Sequence, residues 1–170
     1  DEVGLGKTIE AGLILQELRA RRTMRRVLVV CPSNLTEKWR LELKQRFGEE
    51  FRIFNVGDFL DLLQEYMEDP VRTSVNAILS LERLRGDRVI EALETASPVF
   101  DLTIFDEAHH LRNAATKQNR AASLVCQPAD GVLFLSATPI QLGTQDLFQL
   151  LHLLDPESFP DFYTTEERLR

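Results

Sequence analysis

The chain is predicted to fold as an α/β domain, a mostly parallel sheet flanked by helices, and three observations predict it. Short apolar runs alternate with segments of helical period along the whole chain, as repeated strand and helix units do. The run Val27 to Cys31 is apolar throughout, which suits a strand covered on both faces. Polar residues of chemical interest follow directly on predicted strands, Asp106 and Glu107 after one, Ser136 and Thr138 after another. That is the sheet end at which α/β folds hold their ligands.

Length and composition fit that class. The 170 residues make about one domain, with 44% hydrophobic and 28% charged residues, ordinary for a soluble globular protein. No apolar run approaches membrane-spanning length, so no membrane contact is predicted. The chain opens at Asp1, inside a motif and without methionine, so it is expected to be a piece of a longer one. Cys31 and Cys126 stand far apart and in no Cys-x-x-Cys pair, which argues against a zinc site or disulfide framework and suits an intracellular protein.

The elements are justified in order. Asp1 to Thr8, DEVGLGKT, reads as a phosphate-binding turn entering a helix from about Ile9. Gly4 and Gly6 let backbone N–H groups close on an anion, with Leu5 between them, and the helix aims its positive end at the same place. Lys7 would reach the β- and γ-phosphates of a nucleotide and the Thr8 hydroxyl would ligate Mg²⁺. The competing reading is a Gly-Leu-Gly turn capping an ordinary helix. Asp1 stands where the strict pattern has glycine, and the strand that should precede such a turn is missing ahead of it.

Ile9, Leu13, Ile14 and Leu18 recur at helical spacing and end in Arg19, Arg21, Arg22, Arg25 and Arg26. A solvated helix end accounts for those arginines first, a phosphate-contacting patch second. The net charge of −7 speaks against nucleic acid, although the first 46 residues carry ten Lys/Arg against six Asp/Glu. After the strand ending at Cys31 and Pro32, Asn34 is expected to cap a helix whose face is Leu35, Trp39, Leu43 and Phe47. A short strand from Arg52 to Val56 follows. Next come a helix capped by Asp58 with Phe59, Leu62, Leu63 and Tyr66 inward, a strand from Asn76 to Leu81, and a helix around Val89 to Thr95.

Leu102 to Phe105 form the strand that carries Asp106 and Glu107 to its carboxyl end. In phosphoryl-transfer sites an aspartate there holds Mg²⁺ and a neighbouring carboxylate positions or deprotonates the attacking water. Alone the pair reads equally as an acidic turn; combined with Gly-Lys-Thr it points to a nucleotide site. His109 and His110 should diverge as neighbours and lack other ligands at zinc spacing, so a hydrogen-bonding role is expected rather than a metal site. A polar helix spans about Thr116 to Val125, a strand Val132 to Ser136, and a last amphipathic helix runs from Thr144 through Leu147, Phe148, Leu151 and Leu154 to the stop at Asp155-Pro156. Ser136 and Thr138 could link the acidic pair to whatever lies across the cleft, or simply end the strand before Pro139.

With these motifs in order, the chain resembles the first motor lobe of superfamily 2 helicases, specifically the Swi/Snf family of ATP-dependent double-stranded-DNA translocases. The resemblance rests on DEVGLGKT, LVVCPSNLTEKW, AILSLERL, DEAHHLRN, LSATPIQ and DLFQLLHLLDP, and Asp1 is what that family usually shows. DEVGLGKTIEAG with DEAHH looks closest to its bacterial RapA/HepA-like branch. The resemblance implies a RecA-like P-loop NTPase lobe over residues 1–170 that binds ATP and Mg²⁺. A second RecA-like lobe of the full-length chain, absent here, would supply arginine fingers. It further implies double-stranded DNA as track, with Pro32, Ser33 and Ser80 near its phosphates and His109, Ser136 and Thr138 coupling site to motion. RNA polymerase or a defence complex are the implied partners, in a cytoplasmic, nucleoid-associated setting. Two other readings stay open: a DEAH-type RNA or DNA helicase, and a nucleotide-binding scaffold without turnover.

Overall fold

A computed structural model describes residues 5–136 and 144–169. Five strands, β1 (Arg26–Cys31), β2 (Arg52–Ile53), β3 (Val75–Ser80), β4 (Leu102–Phe105) and β5 (Val132–Phe134), form one sheet in the order β2-β3-β1-β4-β5. Every described pairing is parallel. The central β1 is why Val27 to Cys31 reads as continuously apolar: all five residues are fully buried.

The two faces of the sheet make two cores with the strand period of two. On one side Val27, Val29 and Cys31 meet Ile78, Ile104 and the helices α1 (Leu5–Arg21) and α2 (Thr36–Phe47), through Ala11, Leu15, Trp39 and Leu43. On the other, Leu28 and Val30 meet Leu79, Phe105 and the helices α3 (Val56–Glu68), α4 (Leu81–Leu84), α5 (Asp87–Ala96) and α6 (Lys117–Cys126), through Phe59, Leu63, Leu93 and Val125. Cys31 lies in the first core and Cys126 in the second. Thr103, the one hydroxyl inside β4, donates to the Val125 carbonyl at 3.2 Å, so its burial leaves no unmet polar atom.

Local chemistry moves several element boundaries from where the sequence puts them. Asn55, not Asp58, caps α3: the Asn55 side chain accepts from the Asp58 N–H and the Asp58 carboxylate accepts from the Asn55 N–H, each at 2.9 Å. This capping box starts the helix at Val56 and cuts β2 to two residues. Asn34 is no cap either; it lies in a 3₁₀ turn, Ser33–Leu35, that feeds α2, where the Thr36 hydroxyl donates to the Ser33 carbonyl at 3.0 Å. Ser80 ends β3 and accepts from the Arg83 N–H at 3.3 Å, capping α4. The helices α7 (Thr144–Leu154) and α8 (Phe162–Leu169) close the described chain, α8 without any forecast from the sequence.

Helix α1 differs from expectation in start and in face. It begins at Leu5 rather than near Ile9, which places Lys7 and Thr8 in its first turn. Its inward line is Thr8, Ala11 and Leu15, while Leu13 and Ile14 are exposed. Gly12 explains the choice of face. A Cβ there would stand 2.1 Å from the Phe47 ring, so the glycine lets α1 close directly onto α2.

The arginine cluster is solvated only in part: Arg21, Arg22 and Arg25 are exposed, as expected of a helix end, whereas Arg19 and Arg26 are half-buried, and all but Arg21 also donate to backbone carbonyls. Arg26 donates to the carbonyls of Val99 (2.7 Å), Pro70 (2.6 Å) and Thr73 (3.1 Å) and lies 5.3 Å over the Tyr66 ring. The Arg25 side chain donates to the Val71 carbonyl, Arg22 to that of Asp101, and Arg19 to that of Met24 and to the Asn76 side chain. The Asp101 carboxylate accepts from the N–H groups of Arg25 and Arg26. These groups tie together the loops at the amino-terminal ends of the strands, opposite the end where Asp106 lies.

Candidate active site

Strand β4 delivers Asp106 between two neighbours. The Asp106 N–H donates to the Val30 carbonyl at 2.8 Å and the Ala108 N–H to the Leu135 carbonyl at 2.9 Å, fixing the strand end from both sides. Between them Glu107 turns out of strand geometry into the left-handed region, φ 52° and ψ 46°. In an extended chain side chains 106 and 107 would point to opposite faces. The left-handed turn brings both to one cation, and a 3₁₀ turn, Ala108–Leu111, follows.

That cation is Lys7, a hundred residues away in sequence. Its ammonium donates to Glu107 Oε1 and stands 3.1 Å from Asp106 Oδ1. Desolvation, the largest single influence, pulls the Lys7 pKa down. The hydrogen bonds and charges of Glu107 and Asp106 together outweigh it, leaving the group above its ordinary value and firmly protonated. Thr8, next along α1, is 2% exposed.

Asp106 is held on both oxygens. Oδ1 also accepts from the Glu107 N–H at 2.8 Å, and Oδ2 accepts from the indole N–H of Trp39 at 2.9 Å. Asp106 is 7% exposed and Trp39 1%. Sequence reasoning placed Trp39 on an apolar helix face and within the motif LVVCPSNLTEKW, with no polar partner. The signal available was that a buried indole N–H needs an acceptor, and no residue pattern says which acceptor it finds.

His109 Nδ1 lies 3.2 Å from Glu107 Oε2, but this buried nitrogen lacks hydrogen-bond alignment. Burial, followed by His110, Arg112 and Lys7, lowers its pKa against the pull of Glu107. The ring is therefore neutral at pH 7 and the contact is not an ion pair. His109 and His110 do not diverge as expected: in the 3₁₀ turn their ring centroids are 4.2 Å apart. Among the described residues no group of three or more His, Cys, Asp or Glu side chains could cage a metal ion.

The remaining sequence-predicted positions divide clearly. Ser136 follows Leu135, whose N–H donates to the Phe105 carbonyl at 2.9 Å, so it stands at the same sheet end as Asp106. Cys31 and Ser80 are register partners on adjacent strands, which brings Pro32, Ser33 and Ser80 to that end too. Ser33 is exposed, whereas Ser80 is buried with its hydroxyl engaged as a cap. Leu5 opens α1 and Gly6 follows it; Asp1, Gly4 and Thr138 lie outside the described residues.

An ammonium and two carboxylates thus meet at the carboxyl end of a parallel sheet, beside a helix amino terminus, the end at which α/β folds hold their ligands. The sequence profile of the SNF2-related domain family matches the chain over residues 1–170. The chain belongs to that family.

The chain is 39% identical over 166 residues to the RNA polymerase-associated protein RapA of Yersinia enterocolitica. It is 42% identical over 167 residues to that of Yersinia pseudotuberculosis. Each alignment covers 95% of this chain and 17% of the relative, so this SNF2 domain spans about a sixth of the length of these curated relatives. The SWI2/SNF2 ATPase core of Sulfolobus solfataricus, solved in complex with double-stranded DNA, shares the fold. Its TM-score is 0.70 at 20% identity, over 98% of this chain and 33% of that one.

Proposed function

We propose that the chain is the first RecA-like lobe, the ATP-binding and hydrolysing half, of a Swi/Snf-type translocase that moves along double-stranded DNA and remodels protein–DNA complexes. The observation that carries this reading is the convergence of Lys7, Asp106 and Glu107 from opposite parts of the chain. Lys7 would grip the β- and γ-phosphates, and Asp1, Gly4, Leu5 and Gly6, of the same motif, would belong to the nucleotide-binding set. A Cβ at Gly6 would meet nothing within 4 Å among the described residues, so packing within the chain does not demand a glycine. That open space suits a phosphate approaching the backbone.

The Thr8 hydroxyl and the Asp106 carboxylate are the residues that would hold Mg²⁺. A hard oxygen set with few protein ligands fits an ion that keeps waters and phosphate oxygens in its shell. When bound, magnesium neutralises charge on the β- and γ-phosphates. Glu107 orients or deprotonates the attacking water, and its contact with neutral His109 links that step, with Ser136 and Thr138, to the facing lobe. Pro32 and Ser33 are the first candidates for the tracked strand; the capping role of Ser80 makes it the weaker one.

A second RecA-like lobe of the full-length protein completes the site with arginine fingers. Double-stranded DNA is the track, RNA polymerase or a defence complex the partner, and the cytoplasm, at the nucleoid, the place of action. Among the described residues no helix is long and apolar enough to cross a membrane.

The test uses the full-length protein. Duplex DNA should stimulate its Mg²⁺-dependent ATPase more than single-stranded RNA does, and Lys7→Ala should abolish nucleotide binding. Stronger stimulation by RNA would favour an RNA helicase, and equal nucleotide affinity in parent and Lys7→Ala a scaffold. The chain alone should turn over slowly, because an arginine finger is worth about 10³ to 10⁵ in rate.

A further inference from the structure

The hydrogen bond from Trp39 to Asp106 joins the middle of α2 to the tip of β4, and nothing in the nucleotide chemistry derived so far uses it. An aspartate carboxyl turns easily about its last bond, a broad two-fold torsion, so its orientation is set by what holds its oxygens. Here the indole N–H holds Oδ2 from inside the core while Oδ1 faces Lys7. A buried indole is ordinarily satisfied by any nearby acceptor; here the acceptor is the ionised group at the centre of the site, and the bond is charge-assisted. Trp39 cannot drift, being 1% exposed and packed with Val29, Cys31, Leu43, Ile104 and Leu135.

We infer that Trp39 is a positioning residue that fixes which oxygen of Asp106 is presented to the metal–nucleotide complex. The inference rests on the nucleotide-site reading above. Lys7 cannot perform this role once it engages phosphate, and the Glu107 N–H restrains Oδ1 alone. Loss of the indole donor frees the carboxylate to rotate, so the defect is expected in metal affinity before anything else.

The experiment titrates Mg²⁺ against a fluorescent non-hydrolysable ATP analogue bound to the full-length protein, and separately measures analogue binding in EDTA. Trp39→Phe removes the donor and keeps an aromatic ring. Replacement of Trp39 by benzothienylalanine, in which sulfur stands for the ring N–H, removes the donor at nearly constant shape and serves if the Phe variant folds poorly. Leu43→Ala, in the same core and on the same helix but with no polar atom to offer Asp106, controls for looser packing.

Removal of a group that orients a metal ligand typically weakens metal binding by about 10- to 100-fold. Both Trp39 replacements should raise half-saturating Mg²⁺ by that order and leave metal-free binding within about two-fold, while Leu43→Ala lowers the thermal midpoint without moving the Mg²⁺ requirement. A Trp39 replacement whose Mg²⁺ requirement moves no more than that of Leu43→Ala overturns the inference and leaves the nucleotide site standing. A parent protein with no Mg²⁺-dependent binding overturns the nucleotide reading and this inference with it.

Discussion

Glu107 occupies a backbone region that disfavours residues with a Cβ, and its side chain meets Lys7 beside Asp106 because of that turn. The left-handed conformation is disfavoured by about 1–2 kcal/mol for an ordinary residue, and such outliers gather where function over-determines the structure. Two variants separate backbone from side chain. Glu107→Gln and Glu107→Gly both lose the carboxylate, so both should hydrolyse ATP far more slowly than the parent. Glycine relieves the turn and adds about 0.5–1 kcal/mol of unfolded-state entropy, a smaller quantity. Glu107→Gly should therefore unfold at or above the midpoint of Glu107→Gln in thermal melts, and a clearly lower midpoint would contradict the strain. The sequence showed the acidic pair but not this turn, since nothing in Asp-Glu-Ala-His announces φ > 0.

At the scale of elements, what was legible followed from periodicity and what was not followed from tertiary pairing. The face of α2 and the inward residues of α3 stand where a spacing of three and four puts them. On α1 the same spacing was right for Leu18, which packs against the core, and wrong for Leu13 and Ile14, which are exposed, because the close approach at Gly12 decides which side meets α2. The arginines show the limit more sharply: a run of like charge ordinarily signals solvent or phosphate, yet here planar guanidinium forks find loop carbonyls brought together only by the folded sheet. Arg26 reaches three such carbonyls. Arg26→Lys keeps the charge but not the fork, and loss of two or three hydrogen bonds at about 1 kcal/mol each should lower unfolding free energy by about 2 kcal/mol. Urea melts measure this. A loss below about 0.5 kcal/mol would mean that the Arg26 carbonyl contacts add nothing to stability.

For the whole molecule, the alternation of strands and helices made the parallel sheet readable, and the motifs made the site readable as a set of residues. The union of Lys7 with Asp106 and Glu107 was a spatial expectation that the folded chain meets, since the first turn of α1 and the tip of β4 share one sheet end. The tie through Trp39 escaped, because an apolar-looking helix position carries no mark of the polar atom it serves. The two-layer core has a practical outcome through its thiols. Burial and the charges of Asp106 and Glu82 push the Cys31 thiol up, and burial alone does so for Cys126. Neither reacts readily unless its layer opens. Alkylation followed by peptide mass spectrometry thus offers two clocks in one chain: ATP analogue with Mg²⁺ should slow modification at Cys31 several-fold more than at Cys126, and equal slowing would mean that both layers breathe together.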